Sequence, residues 1–124
     1  LPYLLLSALD QSVNQIAAQA RKVDALFAAA HVERPSFSLI SQLGFIDPCL
    51  SLDAIEYNNQ QRYSKLLSIH GYLKKQTQYS ASDAHYPEQI GTQPSIWQTE
   101  ELTFDGLRKA FNQKDNHLIF ASHG

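Results

Sequence analysis

The sequence predicts an α/β domain with parallel strands, either an open sheet or a piece of a β/α barrel. Two observations carry this expectation. Helix-like and strand-like segments alternate along the chain, and the first three strand-like segments are short apolar runs at 24–32, 53–59 and 78–85. Such runs are what strands covered on both faces look like in sequence. With 124 residues, 44% apolar and 18% charged, the chain has the size and composition of one globular domain that buries a real core.

The elements follow in order. Residues 7–23 set Leu9, Val13, Ile16, Ala17, Ala20 and Val23 at helical spacing, with Ser7 or Asp10 as N-cap. Residues 24–32 (DALFAAAHV) are too short for a second buried helix after so close a break, so a buried strand is expected there. Residues 33–45 form a loop holding a short helical turn over 36–43, stopped at Gly44. A second buried strand follows at 53–59, and then a helix over 60–75 interrupted at Gly71. Residues 78–85 (QYSASDAH) make a third strand and 94–100 a fourth short extended piece. Thr103 caps a helix over 102–113 whose apolar face carries Phe104, Leu107, Ala110 and Phe111. A last strand occupies 117–122.

Composition bounds the function. The net charge is −2 and the ten Lys and Arg are scattered, whereas a duplex-binding face calls for a basic stripe. Stable duplex nucleic-acid binding is therefore not expected, and a small phosphorylated substrate or nucleotide is. Cys49 is the single cysteine, which fits a reducing, cytoplasmic location and a role as a small packing residue in a turn. The opening LPYLLLSALD lacks a basic flank and is too short to be a signal peptide or a membrane span. The chain has no methionine, and the expectation is a piece of something longer. Acyl-enzyme chemistry has no support, since no G-x-S-x-G is present and Cys49 has no histidine nearby in sequence. The common nucleotide cradles are missing as well.

Polar residues collect where apolar strands end: His31 in AAAHVERPSFS, Glu56 and Asn58 in AIEYNN, and Asp83 and His85 in SASDAHY. In barrels and open α/β sheets, functional sites gather outside the C-terminal ends of strands. If 78–85 is a strand, its period of two puts Asp83 and His85 on one side, where carboxylate and imidazole suit a divalent ion. The bland alternative is that D-x-H merely closes a strand with two solvated groups. Arg34 offers a fork for phosphate, or a structural ion pair. Glu56 and Asn58 suit supporting or structural bonds, Ser36 and Ser38 extra donors or helix caps, and Trp97 packing. His70 suits a helix C-terminus, and His117 and His123 are weak ligand candidates.

The stretches AAHVERPSFSLISQLGF (29–45), AIEYNN (54–59) and YSASDAHYPEQIG (79–91) resemble, in matching order, the PHP (polymerase and histidinol phosphatase) superfamily. The likeness is greatest to its stand-alone bacterial hydrolases, and LTFDGLRKAF (102–111) is similar too. The resemblance implies a distorted (β/α)7 TIM-like barrel with divalent metal ions (Zn, Mn or Fe) at its C-terminal rim. It implies hydrolysis of phosphoesters by metal-activated water. It also implies His31, Asp83 and His85 as metal ligands and Asp83 as the catalytic group that orients or deprotonates the water. Arg34 as a substrate-binding phosphate contact is inferred from its loop.

The H-x-H that opens the family's domain has no counterpart here. The chain is thus expected to be a single partial domain over 1–124, the C-terminal half of the barrel, and inactive alone. Since a half barrel exposes strand edges and apolar surface, stability is expected only with the missing N-terminal half or as a homo-oligomer. The runner-up is a PHP-like binding or structural module without catalysis. A peptide-binding α/β domain with an accidental D-x-H comes third.

Overall fold

The computed structural model describes residues 9–122. Ser7, His123 and most of LPYLLLSALD lie outside the described residues. Helix α1 spans Val13–Lys22, and Ser12 caps it instead of Asp10. The Ser12 hydroxyl accepts from the Gln15 amide at 3.3 Å while Gln15 Oε1 accepts from the Ser12 amide at 2.7 Å. This reciprocal box satisfies two orphan donors at once, which Asp10, two residues too early, does not do.

Strand β1 is only Ala28–Ala29, much shorter than the apolar run 24–32. Left-handed backbone at Asp24 (φ 57°) and His31 (φ 31°) breaks the extended conformation on either side. Asp53 Oδ2 also draws the Phe27 amide into a side-chain bond at 2.7 Å. Helix α2, Leu39–Leu43, begins at the Ser38 cap and stops at Gly44, whose φ of 80° suits a residue with no Cβ. Strand β2 is Ala54–Tyr57, and Asn59 caps α3, Gln60–Ile69. A 3-10 turn over Gly71–Lys75 follows, so the sequence interruption at Gly71 marks a real helix end. Cys49 is exposed in its turn, not packed. Its amide donates to Asp47 Oδ1 at 2.8 Å, so the turn is held by aspartate chemistry.

Strand β3 is Gln78–Ser80 and stops five residues before the expected end. Strand β4, Ser95–Gln98, and strand β5, Leu118–Ala121, flank α4, Phe104–Phe111, which Thr103 caps as the sequence predicts. Strands β1, β2 and β3 form a parallel sheet in that order, with Ala29 opposite Ile55 and Tyr57 opposite Ser80. The expectation of parallel strands fails for the last two. They pair antiparallel, Ser95 with Ala121 and Gln98 with Leu118. Left-handed residues at Gln113, Asp115 and Asn116 turn the chain back after α4.

The core lies around the central strand. Ala54 and Ile55 are fully buried, and Val32, Tyr63 and Leu73 close over them. Burial of side chains of this size stabilises by about 1.5–3 kcal/mol each. The Tyr57 and Tyr63 rings stack at 4.2 Å and 3°. Serine hydroxyls join the two sheets: Ser95 Oγ accepts from the Ser80 amide at 2.9 Å and donates to the Ser80 carbonyl at 2.7 Å. Ser80 Oγ donates to the Pro94 carbonyl at 2.8 Å.

Candidate functional site

The C-terminal ends of β1, β2 and β3 open on the same side, because the three strands are parallel. His31 sits two residues past β1. Its amide donates to Glu56 Oε1 at 3.3 Å, and Glu56 Oε2 accepts from the Tyr79 hydroxyl at 3.0 Å. One carboxylate on β2 thus ties the loop after β1 to a side chain of β3. Burial, with the Glu56 charge and hydrogen bond behind it, pushes the Tyr79 phenol well above its usual range. That phenol remains a donor at neutral pH. His31 Nδ1 is buried and has no partner among the described residues.

Glu33 is buried, and its Oε1 accepts from the amides of Asn58 and Asn59 at 2.9 and 2.8 Å. These donors stand at the N-terminal end of α3, where a carboxylate is favoured by the helix dipole. Asn58 holds the segment after β3, its Nδ2 donating to the carbonyls of Ala81 and Ser82 at 2.9 and 2.8 Å. With its ladder partners replaced by Ser95, Pro94 and Asn58, the chain leaves extended geometry, and Asp83 takes a φ of 49°. The same-side argument for Asp83 and His85 is therefore corrected: neither lies on a strand.

A different geometry brings them together. Arg34 Nη1 meets Asp83 Oδ2 at 2.5 Å across 49 residues of sequence. His85 Nδ1 lies 2.8 Å from the Asp83 carbonyl, an acceptor only, so Nδ1 carries a proton and donates it there, leaving Nε2 turned to other partners. Arg34, Asp83 and His85 line one cleft of about 290 Å³ with Glu33, Asn58, Arg62, Ser82 and Gln89. His31 does not line it. Glu33 and Arg62 were absent from the sequence-derived candidates. Glu33, two residues past His31 in a strand-end loop, carried a usable signal; Arg62, a first-turn helix residue, carried none.

The donor set does not by itself fit a divalent ion. Among the described residues no three His, Cys, Asp or Glu side chains stand together as a metal group, and sites of this kind use three or more protein ligands. Arg34 also holds the Asp83 carboxylate, and His31 stands apart from the cleft. Among the described residues no helix is long and apolar enough to cross a membrane.

No protein-family model matches the chain, and no curated protein does. Two solved structures do match in fold. The lesion-specific endonuclease PfuEndoQ from Pyrococcus furiosus superposes with a TM-score of 0.73 and 23% identity, over 90% of this chain and 29% of that one. The fold is that of a segment of endonuclease Q. An endonuclease Q complex with a 27-mer duplex, carrying an abasic lesion at the active site, matches at 0.72 and 21% identity, over 89% of this chain and 29% of that one.

The chain therefore spans under a third of each endonuclease Q chain. The expectation of a small phosphorylated substrate or nucleotide, without stable duplex binding, is corrected here, since endonuclease Q holds a duplex at its active site. The reasoning failed because a net charge of −2 is an average over the chain. Phosphate contacts depend on where a few Arg and Lys stand and on how many the whole protein supplies.

Proposed function

We propose that this chain is a segment of a PHP-type, DNA-directed phosphodiester hydrolase, a contributor to one rim of a larger β/α barrel. The observation that carries the reading is the meeting of Arg34, Asp83 and His85 in one cleft at the ends of parallel strands. The fold likeness to endonuclease Q supports a nucleic-acid substrate. In this reading Arg34 and Arg62 contact phosphate oxygens of the strand, for which the guanidinium fork is suited. Asp83 orients or deprotonates the attacking water, and His85 accepts or holds a proton at Nε2. His31, Asp83 and His85 stay the candidate metal ligands, and a divalent ion needs further donors beside them.

The test uses the full-length protein and a duplex with one abasic lesion. Binding should weaken with salt, and the slope should fall by about one for each of Arg34→Ala and Arg62→Ala. Nicking should drop at least about a hundredfold in Asp83→Asn. A protein that neither binds nor nicks this duplex would refute the reading. A second reading has its own support: the Arg34–Asp83 pair and the lack of a three-ligand group among the described residues suit a binding module without catalysis. Binding without nicking selects it.

A further inference from the structure

Two polar side chains that line the cleft, Glu33 and Asn58, replace a rung of the parallel ladder. The Ile55 amide donates to the Thr77 carbonyl at 2.8 Å, and the Ala81 amide to the Tyr57 carbonyl at 3.0 Å. At that period the next rung joins the Asn59 amide to the Ala81 carbonyl. It does not form. Glu33 Oε1 takes the amides of Asn58 and Asn59 at 2.9 and 2.8 Å, and the Ala81 carbonyl receives the Asn58 side chain instead. The Ser82 carbonyl receives it too, at 2.8 Å. Both partners are acceptors only, so the group facing them is the amide nitrogen, and its two hydrogens are both used. One residue on, Asp83 turns left-handed at φ 49°, sends its carboxylate to Arg34 and offers its carbonyl to His85.

We propose that Asn58, fixed in place by Glu33, is the positioning residue for Asp83 and His85; the proposal rests on the hydrolase reading above. In an extended strand successive carbonyls point in opposite directions, so one amide group gathers two of them only where the chain has left that geometry. The clamp therefore ends β3 and sets the turn from which Asp83 and His85 enter the cleft. The arginines are held separately. Ser38 Oγ donates to the Arg34 carbonyl at 2.9 Å, and Arg62 stands on α3. Reacting groups displaced by about 1 Å lose on the order of a hundredfold in rate. The clamp thus acts on turnover, and the arginines act on binding.

The experiment measures single-turnover nicking and duplex binding by the full-length protein on the abasic duplex, with the folded fraction of each variant read by melting. Asn58→Ala, and Asn58→Leu, which keeps the volume and removes both hydrogens, should each slow nicking about a hundredfold and leave Kd within about threefold. Glu33→Ala should slow nicking as well. Added to Asn58→Ala it should cost nothing further, because both act along one path. Glu33→Gln, which keeps an acceptor for the two amides, should recover most of the loss in Glu33→Ala. A lowered melting midpoint with an unchanged nicking rate per folded molecule makes the clamp merely structural and overturns the proposal. A Kd raised as much as the rate falls makes Asn58 a substrate contact, and fully additive losses separate Glu33 from Asn58; either result overturns it too. In each of these cases the wild type nicks and the hydrolase reading stands. A wild-type protein that does not nick overturns both.

Discussion

The parallel sheet and the antiparallel pair use apolar residues in opposite ways. On β2, Ala54 and Ile55 have no exposed surface and Tyr57 has 4%. On β4 and β5, Ile96 and Phe120, which face each other across the ladder, are 46% and 42% exposed. The first region is covered on both faces and forms the floor of the site. The second is covered on one face, and its β4 approach is fastened to that floor through Ser80, Pro94 and Ser95. What separates them is coverage: the same residue types fill a core in one place and meet solvent in the other.

The largest effect that would sharpen this contrast comes from alkali. Tyr63 and Tyr79 are both pushed well above the usual phenol range, by burial first and then by nearby negative charge or phenol. Their folded pKa values are raised, so their stabilisation is fully present below about pH 10, the unfolded value, and is lost as pH climbs beyond it. Both belong to the parallel region, and residues 95–122 contain no tyrosine. The tyrosinate absorbance of these two should therefore appear only together with loss of secondary structure. Titration of all six tyrosines near pH 10 in a protein that stays folded would break the comparison.

Tyr63→Ala comes next. It removes half of the stacked pair and a side chain that is 2% exposed, at a cost of about 3–5 kcal/mol in urea unfolding. Tyr63→Phe separates ring from hydroxyl. The hydroxyl is buried without a partner among the described residues, so stability should hold or rise slightly.

In the antiparallel region the tight spot is Gly106, buried in α4. A Cβ there would press on the Glu101 carbonyl and stand 2.7 Å from Thr99 Oγ1. Alanine usually gains about 1 kcal/mol over glycine inside a helix. Here the backbone contact should reverse that sign and cost about 1–3 kcal/mol, a shift visible in the denaturation midpoint. Least of all should Ile96→Thr matter, changing stability by no more than about 0.5 kcal/mol. A loss above 2 kcal/mol would show that the outer face of the pair is covered after all.

Local signals in the sequence were dependable where they were chemical. Thr103 and Gly44 mark helix ends because capping needs only a hydroxyl acceptor or a free φ at the right place. The candidates Arg34, Asp83 and His85 share a cleft, although the period-two argument that linked two of them was wrong. That argument needed β3 to run on to His85. Nothing local to residues 78–85 reveals that Ser95 and Pro94 take over the polar groups of Ser80 and Asn58 the carbonyls of Ala81 and Ser82. The antiparallel pairing was hidden for a related reason, since three left-handed turn residues without glycine give little sign in sequence.

By itself, then, the sequence determined the α/β class, the order of its elements and the strand-end position of the polar residues. Those follow from periodicity and capping, which act over a few residues. Tertiary structure alone decided strand lengths, the direction of the last pair and the gathering of a charged cleft at the strand ends. Each of these depends on bonds such as Arg34 to Asp83, whose partners are distant in sequence and meet only once the parallel sheet has formed.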